Sequence, residues 1–257
     1  MNTYNKLTAE TRSPITSYIA FSPKKLNVHY HQCYQLILSL SNSFDCKINN
    51  DHLTNIRGFV VNRKVSHTCY AENSDLLIVL IETDSCEASG IRDLLKDKPY
   101  MDISPIEWGE YKNLIADDYK QRPSYEMIPF VKKILDHICQ PRLKPKLRLD
   151  DRVAIILKHI DASIEWPIRL NEVAALVFLS PERTRHLFSE QIGMPFSDYV
   201  LWKKIKATLN AVVAHKFSFH KACLRYGFTD QPHFNRTFKK RFGMPPSGIL
   251  NYCMVIG

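Results

Sequence analysis

Two short segments of the chain carry side chains that could hydrogen-bond to the edges of nucleic-acid bases. Helical spacing over residues 181–191 and 231–241 predicts an inner packed stripe and a polar outer face in each. Arg can pair in bidentate fashion with guanine, as Asn or Gln can with adenine. A solvated helix face carries the same residue types, so no single residue is decisive. The inner stripes are Thr184, Leu187, Phe188, Gln191 and Phe234, Phe238, Phe242; the outer faces are Glu182, Arg185, His186, Ser189 and Gln231, Pro232, Asn235, Arg236, Lys239.

The same two segments belong to a sequence repeat. Placing 180–201 over 230–251 aligns the motif Gly-Met-Pro-x-Ser, which begins at Gly193 in one copy and at Gly243 in the other. A fixed offset with glycine and proline in register indicates one supersecondary unit used twice. Two polar faces in a duplicated context are stronger support for nucleic-acid binding than either face alone.

Local signals around the repeat predict two helix-turn-helix units. Ser180 and Asp230 suit the N-cap position, and glycine suits the stop of each following helix. A short helix, a tight turn and a second capped helix make up this motif. The sequence predicts it at 170–191 and 218–242, with one long helix between the two units.

The net charge of +9 is concentrated around the repeat. Residues 151–257 contain 15 Lys and Arg against 8 Asp and Glu, whereas residues 1–150 contain 20 against 18. A basic surface of this kind favours a polyanionic partner, most commonly nucleic acid. Charge alone is also compatible with a solvated basic face that keeps the chain soluble.

Residues 152–252 resemble the DNA-binding domain of AraC/XylS-type transcription regulators, most sharply at "GFTDQPHFNRTFKKRFGMPPS". The resemblance implies that recognition helices 181–191 and 231–241 enter successive major-groove segments of double-stranded promoter DNA, about one helical turn apart. The resemblance also implies which side chains contact the DNA, with the lysines contacting phosphates. The predicted contact residues are Glu182, Arg183, Arg185, His186, Gln231, Pro232, His233, Asn235, Arg236, Lys239, Lys240, Lys203 and Lys204.

Four positions depart from the pattern of that family. Phe178 stands in the first turn where Gly or another small or polar residue is usual, and a bulky side chain strains this position by roughly 1 kcal/mol or more if it needs positive φ. Thr184 replaces a common buried Leu, which weakens the seating of the first recognition helix. Lys221 replaces a frequent acid and Cys223 a frequent Ala, and both look tolerable.

The first half of the chain has a different pattern. Aliphatic and β-branched runs at 34–40, 58–62 and 75–81 predict short strands, and the spacing at 107–120 and 125–140 predicts two amphipathic helices. This half resembles, more weakly, the cupin-like sensor domain of the same regulators. The predicted fold class is α+β in two domains. They are a cupin-like β-barrel with two helices at 1–140, a linker at 141–150, and an all-α domain at 151–257.

Three histidines of this half could form a metal site. His29 and His31 alternate along one strand so that both rings share a face, and His67 follows on a later strand. Gln35 stands where a metal-binding cupin has Glu, and the Pro-x-Gly before the last histidine is missing. The sequence therefore favours structural or pocket-lining histidines and predicts no bound metal or cofactor.

The same histidines could line an effector pocket together with two tyrosines. The predicted pocket residues are His29, His31, Tyr34, His67 and Tyr70. A filled barrel without an effector explains these residues equally well.

Other features exclude several classes of protein. The chain has no signal-peptide core, no aliphatic run that spans a bilayer and no Cys-x-x-Cys among its seven cysteines. These features predict a cytoplasmic protein without membrane attachment, with reduced cysteines packed as small hydrophobic residues. No phosphate loop, nucleophile elbow or His-Glu-x-x-His motif is present, so we do not expect an enzyme.

The resemblance favours an effector-responsive activator that contacts RNA polymerase and dimerises through the helices at 105–139. The same helices could instead only pack on their own barrel. Two alternatives remain at this point: a metal-dependent cupin enzyme with a helical appendage, and a helical adaptor that binds DNA without sequence preference.

Overall fold

The computed structural model describes residues 15–20, 23–83, 85–106, 124–139, 149–213, 215–247 and 254–256. The predicted helix at 107–120 and nearly all of the predicted linker lie outside these residues. The domain boundary at 141–150 therefore stays a prediction.

Within the described residues, two antiparallel sheets form the N-terminal half. The six-stranded sheet has the order β10-β1-β8-β3-β6-β9, and the four-stranded sheet has the order β2-β7-β4-β5. The described strands of the predicted β-barrel thus form two facing sheets and do not close into one ring. The strands are β1 Ile15–Ala20, β2 Leu26–His29, β3 Tyr34–Ser39, β4 Phe44–Ile48, β5 Asp51–Ile56, β6 Gly58–Val61, β7 His67–Tyr70, β8 Leu76–Ile81, β9 Tyr100–Asp102 and β10 Met254–Ile256.

The three aliphatic runs predicted as strands form β3, β6 and β8, which are neighbours in the six-stranded sheet. They are buried on both faces, which is why their sequences are continuously apolar rather than alternating. Ile37 and Leu80 face the four-stranded sheet, whereas Leu36 and Val79 face the covering helices.

Two described helices cover the outer face of the six-stranded sheet. Helix α1 (Cys86–Leu95) begins at the N-cap Ser85, and helix α2 (Ser124–Cys139) is the second predicted amphipathic helix. Ile91 of α1 and Ile134 of α2 are fully buried in the core that these helices share with the sheet.

The C-terminal half is almost entirely helical, as the sequence predicts. Its helices are α3 Asp151–Ala162, α4 Leu170–Leu176, α5 Pro181–Ile192, α6 Phe196–Val213, α7 Phe219–Arg225 and α8 Gln231–Phe242. The pairs α4–α5 and α7–α8 are the two helix-turn-helix units, and α6 is the predicted long helix between them. The overall α+β prediction is confirmed.

One part of the predicted all-α domain is wrong. Residues Met254–Ile256 form strand β10, which pairs in antiparallel fashion with β1 at the edge of the six-stranded sheet. Three apolar residues in extended conformation complete the hydrogen bonding of an otherwise open edge. The end of the chain thereby returns to the N-terminal half.

The two helix-turn-helix units differ in how their cores are built. The first unit has its own core, in which Val153, Phe188 and Tyr199 pack together. The second unit shares one core with both sheets: Phe234 and Phe242 belong to the same buried cluster as Leu26 of β2. The second unit is therefore packed as part of the N-terminal half.

A buried ion pair joins Glu82, the residue directly after β8, to α6 across this junction. Lys206 Nζ donates to Glu82 Oε1 at 2.8 Å, and Trp202 Nε1 donates to the same oxygen at 3.1 Å. Burial raises the pKa of Glu82, but the charges of Lys206 and Lys203 and these two hydrogen bonds outweigh it and lower the pKa. Glu82 is therefore ionised at neutral pH and anchors α6.

The cysteines whose side chains the structure describes are free. Cys33, Cys46, Cys69 and Cys223 are buried and Cys139 is partly buried. Burial raises the pKa of each thiol, to about 12 for Cys33, so these residues are protonated and pack as small hydrophobic side chains.

Phe178→Gly should stabilise the protein by about 1 kcal/mol, because it relieves the strained turn of the first unit. Phe178 has φ of 56° and is 95% exposed, so its ring loses little packing on removal. The matching turn of the second unit uses Gly227, with φ of 81°. Urea unfolding should show the gain for Phe178→Gly and little change for Phe178→Ala, which keeps the strain. Equal gains from both variants would contradict the strain account.

Glu82→Gln should destabilise the protein by roughly 3–5 kcal/mol, because it leaves the Lys206 ammonium buried without a carboxylate. Since the pKa of Glu82 is lower in the folded chain, its contribution is present above the unfolded pKa and is lost as pH falls through the folded value. In Glu82→Gln, the melting temperature measured against pH should no longer show the fall at acid pH that comes from protonation of Glu82. The control is Glu72→Gln in the exposed pair with Lys24, which should change stability by less than about 1 kcal/mol.

Candidate nucleic-acid interface

The two recognition helices, α5 and α8, begin and end at the predicted caps. The Ser180 side chain accepts from the Arg183 N–H, and the Asp230 side chain accepts from the His233 N–H at 2.6 Å. Each helix ends at a glycine in the left-handed conformation, with φ of 77° at Gly193 and 69° at Gly243. The repeated Gly-Met-Pro-x-Ser motif thus stops each recognition helix at its glycine.

The inner face of α5 differs from the prediction at one position. Thr184, Leu187 and Phe188 are buried, but Ile192 rather than Gln191 completes the stripe. Gln191 is partly exposed, and its Oε1 accepts from the Asp150 N–H at 3.1 Å. The buried Thr184 hydroxyl donates to the Ser180 carbonyl at 2.9 Å, which satisfies its polar group.

The outer face of α5 presents the predicted Glu182, Arg183, Arg185 and His186, all exposed. These side chains partly neutralise one another: the Glu182 carboxylate accepts from Arg185 and lies 2.9 Å from the His186 Nε2. Any base contact by Arg185 must compete with its bond to Glu182. The first helix therefore offers less free positive charge than its residue types suggest.

The inner face of α8 is a stack of aromatic rings. Phe234, Phe238 and Phe242 are almost completely buried, as predicted, and the Phe238 and Phe242 ring centroids are 4.0 Å apart with nearly parallel planes. Large aromatic side chains on one stripe fix the rotation of the helix about its axis. This seating determines which residues face away from the core.

The outer face of α8 contains exposed Pro232, Arg236, Lys239 and Lys240. Gln231, His233 and Asn235 are half-buried. His233 is at the start of the helix, where its Nδ1 accepts from the Thr229 N–H at 3.4 Å. Among the predicted contact residues of this helix, Arg236 and the two lysines are the most accessible cations.

Lys203 and Lys204 of α6 contact α3 and the segment that follows it. Lys203 Nζ lies 2.9 Å from the Asp161 carboxylate with only 14% of its side chain exposed, and Lys204 Nζ donates to the Trp166 carbonyl at 3.1 Å. Both ammonium groups already have protein partners. This placement does not favour the phosphate contacts predicted for them.

The C-terminal ends of both recognition helices are hydrogen-bonded to the N-terminal half. Arg63 Nη1 donates to the Gly193 carbonyl at 2.5 Å, and the Thr83 hydroxyl donates to the Ile192 carbonyl at the end of α5. The Asn27 backbone N–H and side-chain Nδ2 both donate to the Gly243 carbonyl at 3.0 Å. Local sequence signals gave no indication of these contacts, because the partners are more than 100 residues apart.

The five predicted effector-pocket residues do not line one cavity. His29, His31 and His67 are buried and lie together, with ring centroids 4.3–5.6 Å apart. Tyr34 is buried on the opposite face of its strand, in the core under the helices, because side chains alternate along β3. Tyr70 is 44% exposed, with the Lys25 ammonium above its ring.

Comparison with known proteins points to one family. Residues 173–251 match the family model described as "Helix-turn-helix domain". The chain is 19% identical to the probable transcriptional regulator LumQ of Photobacterium leiognathi, over 87% of this chain and 92% of that protein. It is 26% identical to the transcriptional activator RhrA of Rhizobium meliloti, over 49% of this chain but only 39% of that protein.

The fold as a whole is similar to that of ToxT from Vibrio cholerae. A structure of apo ToxT superposes with a TM-score of 0.56 and 12% identity, covering 93% of this chain and 97% of that one. Among the helices that the structure describes, none is long and apolar enough to cross a membrane. The double helix-turn-helix, the matched family model and the named regulators support the resemblance of the chain to AraC/XylS-type transcription regulators.

Proposed function

We propose that the chain binds double-stranded promoter DNA sequence-specifically, with α5 and α8 in successive major-groove segments, and activates transcription in response to an effector. The observation that carries the proposal is the pair of capped helices, each with a buried inner stripe and a polar outer face, on the basic part of the chain.

In this proposal α8 contributes more to base recognition than α5. Arg236 is exposed on the outer face and has the donor geometry that guanine recognition requires. Lys239 and Lys240, one turn further along the helix, would meet phosphates. Gln231 and Asn235 are the candidates for contacts with adenine, whereas His233 contributes to the start of the helix.

Helix α5 would contact DNA through Arg183, Arg185 and His186. Glu182 would limit the affinity of this helix for DNA. A carboxylate near the DNA backbone is repelled by phosphates unless it accepts from cytosine or holds a neighbouring cation in place. The ion pairs of Glu182 with Arg185 and His186 support the second role. We do not include Lys203 and Lys204 among the proposed phosphate contacts.

Arg236→Ala and Lys239→Ala should affect DNA binding differently. Duplexes are first selected from a random pool by the full chain, and affinities are then measured at several salt concentrations. Arg236→Ala should weaken binding to the selected duplex by about 1–3 kcal/mol, roughly 5- to 150-fold, and relax the preference at one base pair. Lys239→Ala should weaken binding to all sequences and reduce the salt slope by about 1.

The control for the loss of one positive charge is Lys158→Ala, at an exposed position of α3 outside the recognition helices. It should leave both affinity and preference nearly unchanged. If no sequence is enriched, or if all three variants weaken binding equally on every duplex, the chain is a non-specific polyanion binder and the proposal fails.

The activator role is supported by the description of RhrA as a transcriptional activator. An activator of this type would contact RNA polymerase when bound to its promoter. Dimerisation through residues 105–139 remains a prediction from the family resemblance, since part of that segment lies outside the described residues.

Effector response is supported by a cavity at the junction of the two halves. The cavity has a volume of about 260 Å³, and Arg63, Thr83, Arg92 and Gly193 are among its lining residues. Arg63 is also the residue that holds the end of α5, so a ligand there would act on a recognition helix directly. The lining also includes Glu190, so two guanidinium groups are opposed by one carboxylate, and the net positive charge favours a small anion such as a carboxylate. ToxT has been crystallised with an unsaturated fatty acid bound.

An effector with this chemistry should raise the melting temperature of the full chain. A panel of small carboxylates, including unsaturated fatty acids, is screened by thermal shift, and hits are retested with Arg92→Ala. We expect the shift to be lost or strongly reduced in that variant. A carboxylate that stabilises both proteins equally binds elsewhere and would exclude this cavity as its site.

A further inference from the structure

Three histidine side chains converge at one buried point between the four-stranded sheet and the end of α8. His29 of β2 and His67 of β7 are register partners on adjacent antiparallel strands, and His31 follows two residues after His29. One ring nitrogen from each residue lies within 4.8 Å of the others. The side chains are at most 6% exposed, so no bulk water reaches this point freely.

The three histidines have in common an Nε2 atom without a hydrogen-bond partner among the described residues. Within the described residues, the Nε2 of His29, of His31 and of His67 is buried and has no hydrogen-bond partner. Leaving one buried polar atom unpaired costs about 1–3 kcal/mol. Three such atoms on rings whose centroids lie 4.3–5.6 Å apart are difficult to explain by packing alone and are typical of a ligand set.

The hydrogen bonds of the opposite ring nitrogens determine the tautomer of two of these rings. His29 Nδ1 lies 2.6 Å from the Asn27 carbonyl, and His67 Nδ1 lies 3.0 Å from the Val65 carbonyl. A carbonyl only accepts, so Nδ1 carries the proton in both rings and Nε2 has a free lone pair. This outer-shell arrangement orients metal-binding histidines in known sites.

We propose that His29, His31 and His67 bind one divalent first-row transition metal ion, with Zn²⁺ as the best fit, through their Nε2 atoms. Three histidines and one open position form a recognised zinc geometry. Ligands about 2.0–2.1 Å from zinc are about 3.4 Å apart, so small ring rotations would close the present separations. Imidazole suits zinc, copper, nickel and iron, whereas calcium and magnesium prefer oxygen.

The sequence argued against this site because Gln35 replaces the usual Glu. In the structure Gln35 is fully buried, and neither polar atom of its amide has a partner within the described residues. It lies on the face of β3 that points between the sheets, as Cys33 and Ile37 do. An amide oxygen or a water could take the fourth position, and a neutral ligand set predicts weaker binding than one with carboxylate.

The site is in contact with the second recognition helix. A Cβ placed on Gly243 would lie 2.6 Å from His29 Nδ1, and the His31 and Phe242 ring centroids are 5.8 Å apart. An ion that draws the three rings together would therefore act on the end of α8. The coupling of metal to DNA affinity rests on the proposed function, whereas the metal site itself does not.

The test uses the full chain, purified without a histidine tag and stripped with chelator. Titration with Co²⁺ should give the visible absorption of a four-coordinate site at one ion per chain, and Zn²⁺ should displace it. Zn²⁺ should also raise the melting temperature. His67→Gln should weaken binding roughly 100-fold or more, whereas His52→Gln, at an exposed histidine of β5, should bind like the parent chain.

Two results would overturn the site: no Co²⁺ absorption and no zinc-dependent stabilisation in the parent chain, or equal metal affinity in the parent chain and His67→Gln. The melting temperature of metal-free His67→Gln shows whether that variant is folded, and the titration of the parent chain decides the question if it is not. DNA affinity is then compared with and without Zn²⁺. Metal binding with unchanged DNA affinity would overturn the coupling to α8 and leave the metal site in place.

Discussion

The structure depends on the attachment of both recognition-helix ends to the N-terminal half. Each of these helices ends at a glycine with positive φ, which turns its terminal carbonyls away from the helix axis and leaves them free to accept. Arg63 donates to Gly193 at the end of α5, and Asn27 donates twice to Gly243 at the end of α8. The repeated motif therefore has a second role beyond stopping a helix, since it places a free carbonyl where the sheets can hold it.

This attachment makes the two units unequal. The first unit packs around its own core and is tied to the sheets mainly by hydrogen bonds. The second shares its aromatic stripe with the sheets, so the position of α8 depends on β2 and on the buried residues behind it. Arg63 contacts the end of α5 and His29 lies beside the end of α8, so the proposed anion and the proposed metal ion would act on the two helices by separate routes. The buried Glu82–Lys206 pair keeps α6 in place between them.

Features set by local chemistry could be predicted from the sequence, whereas features set by distant partners could not. The caps at Ser180 and Gly193, the strained turn at Phe178 and the phenylalanine stripe of α8 all follow from residue type and spacing. The pairing of β10 with β1 and the bond between Glu82 and Lys206 join residues that are far apart in the chain. The histidines were recognised as a group, but their orphaned Nε2 atoms depend on which carbonyls the folded strands present. The placement of Tyr34 and Tyr70 on other faces depends on strand register, which the sequence left open.

The central claim is that one chain holds two reading helices in a fixed relation through their attachment to the sheets. The most direct test is the affinity of the full chain for duplexes in which the two selected half-sites are moved apart one base pair at a time. The account predicts that affinity is highest in a narrow range of half-site spacings near ten base pairs. It predicts a broader range of tolerated spacings when Arg63 and Asn27 are both replaced by Ala. Affinity that does not depend on spacing in the parent chain, or binding that requires only one half-site, would contradict it.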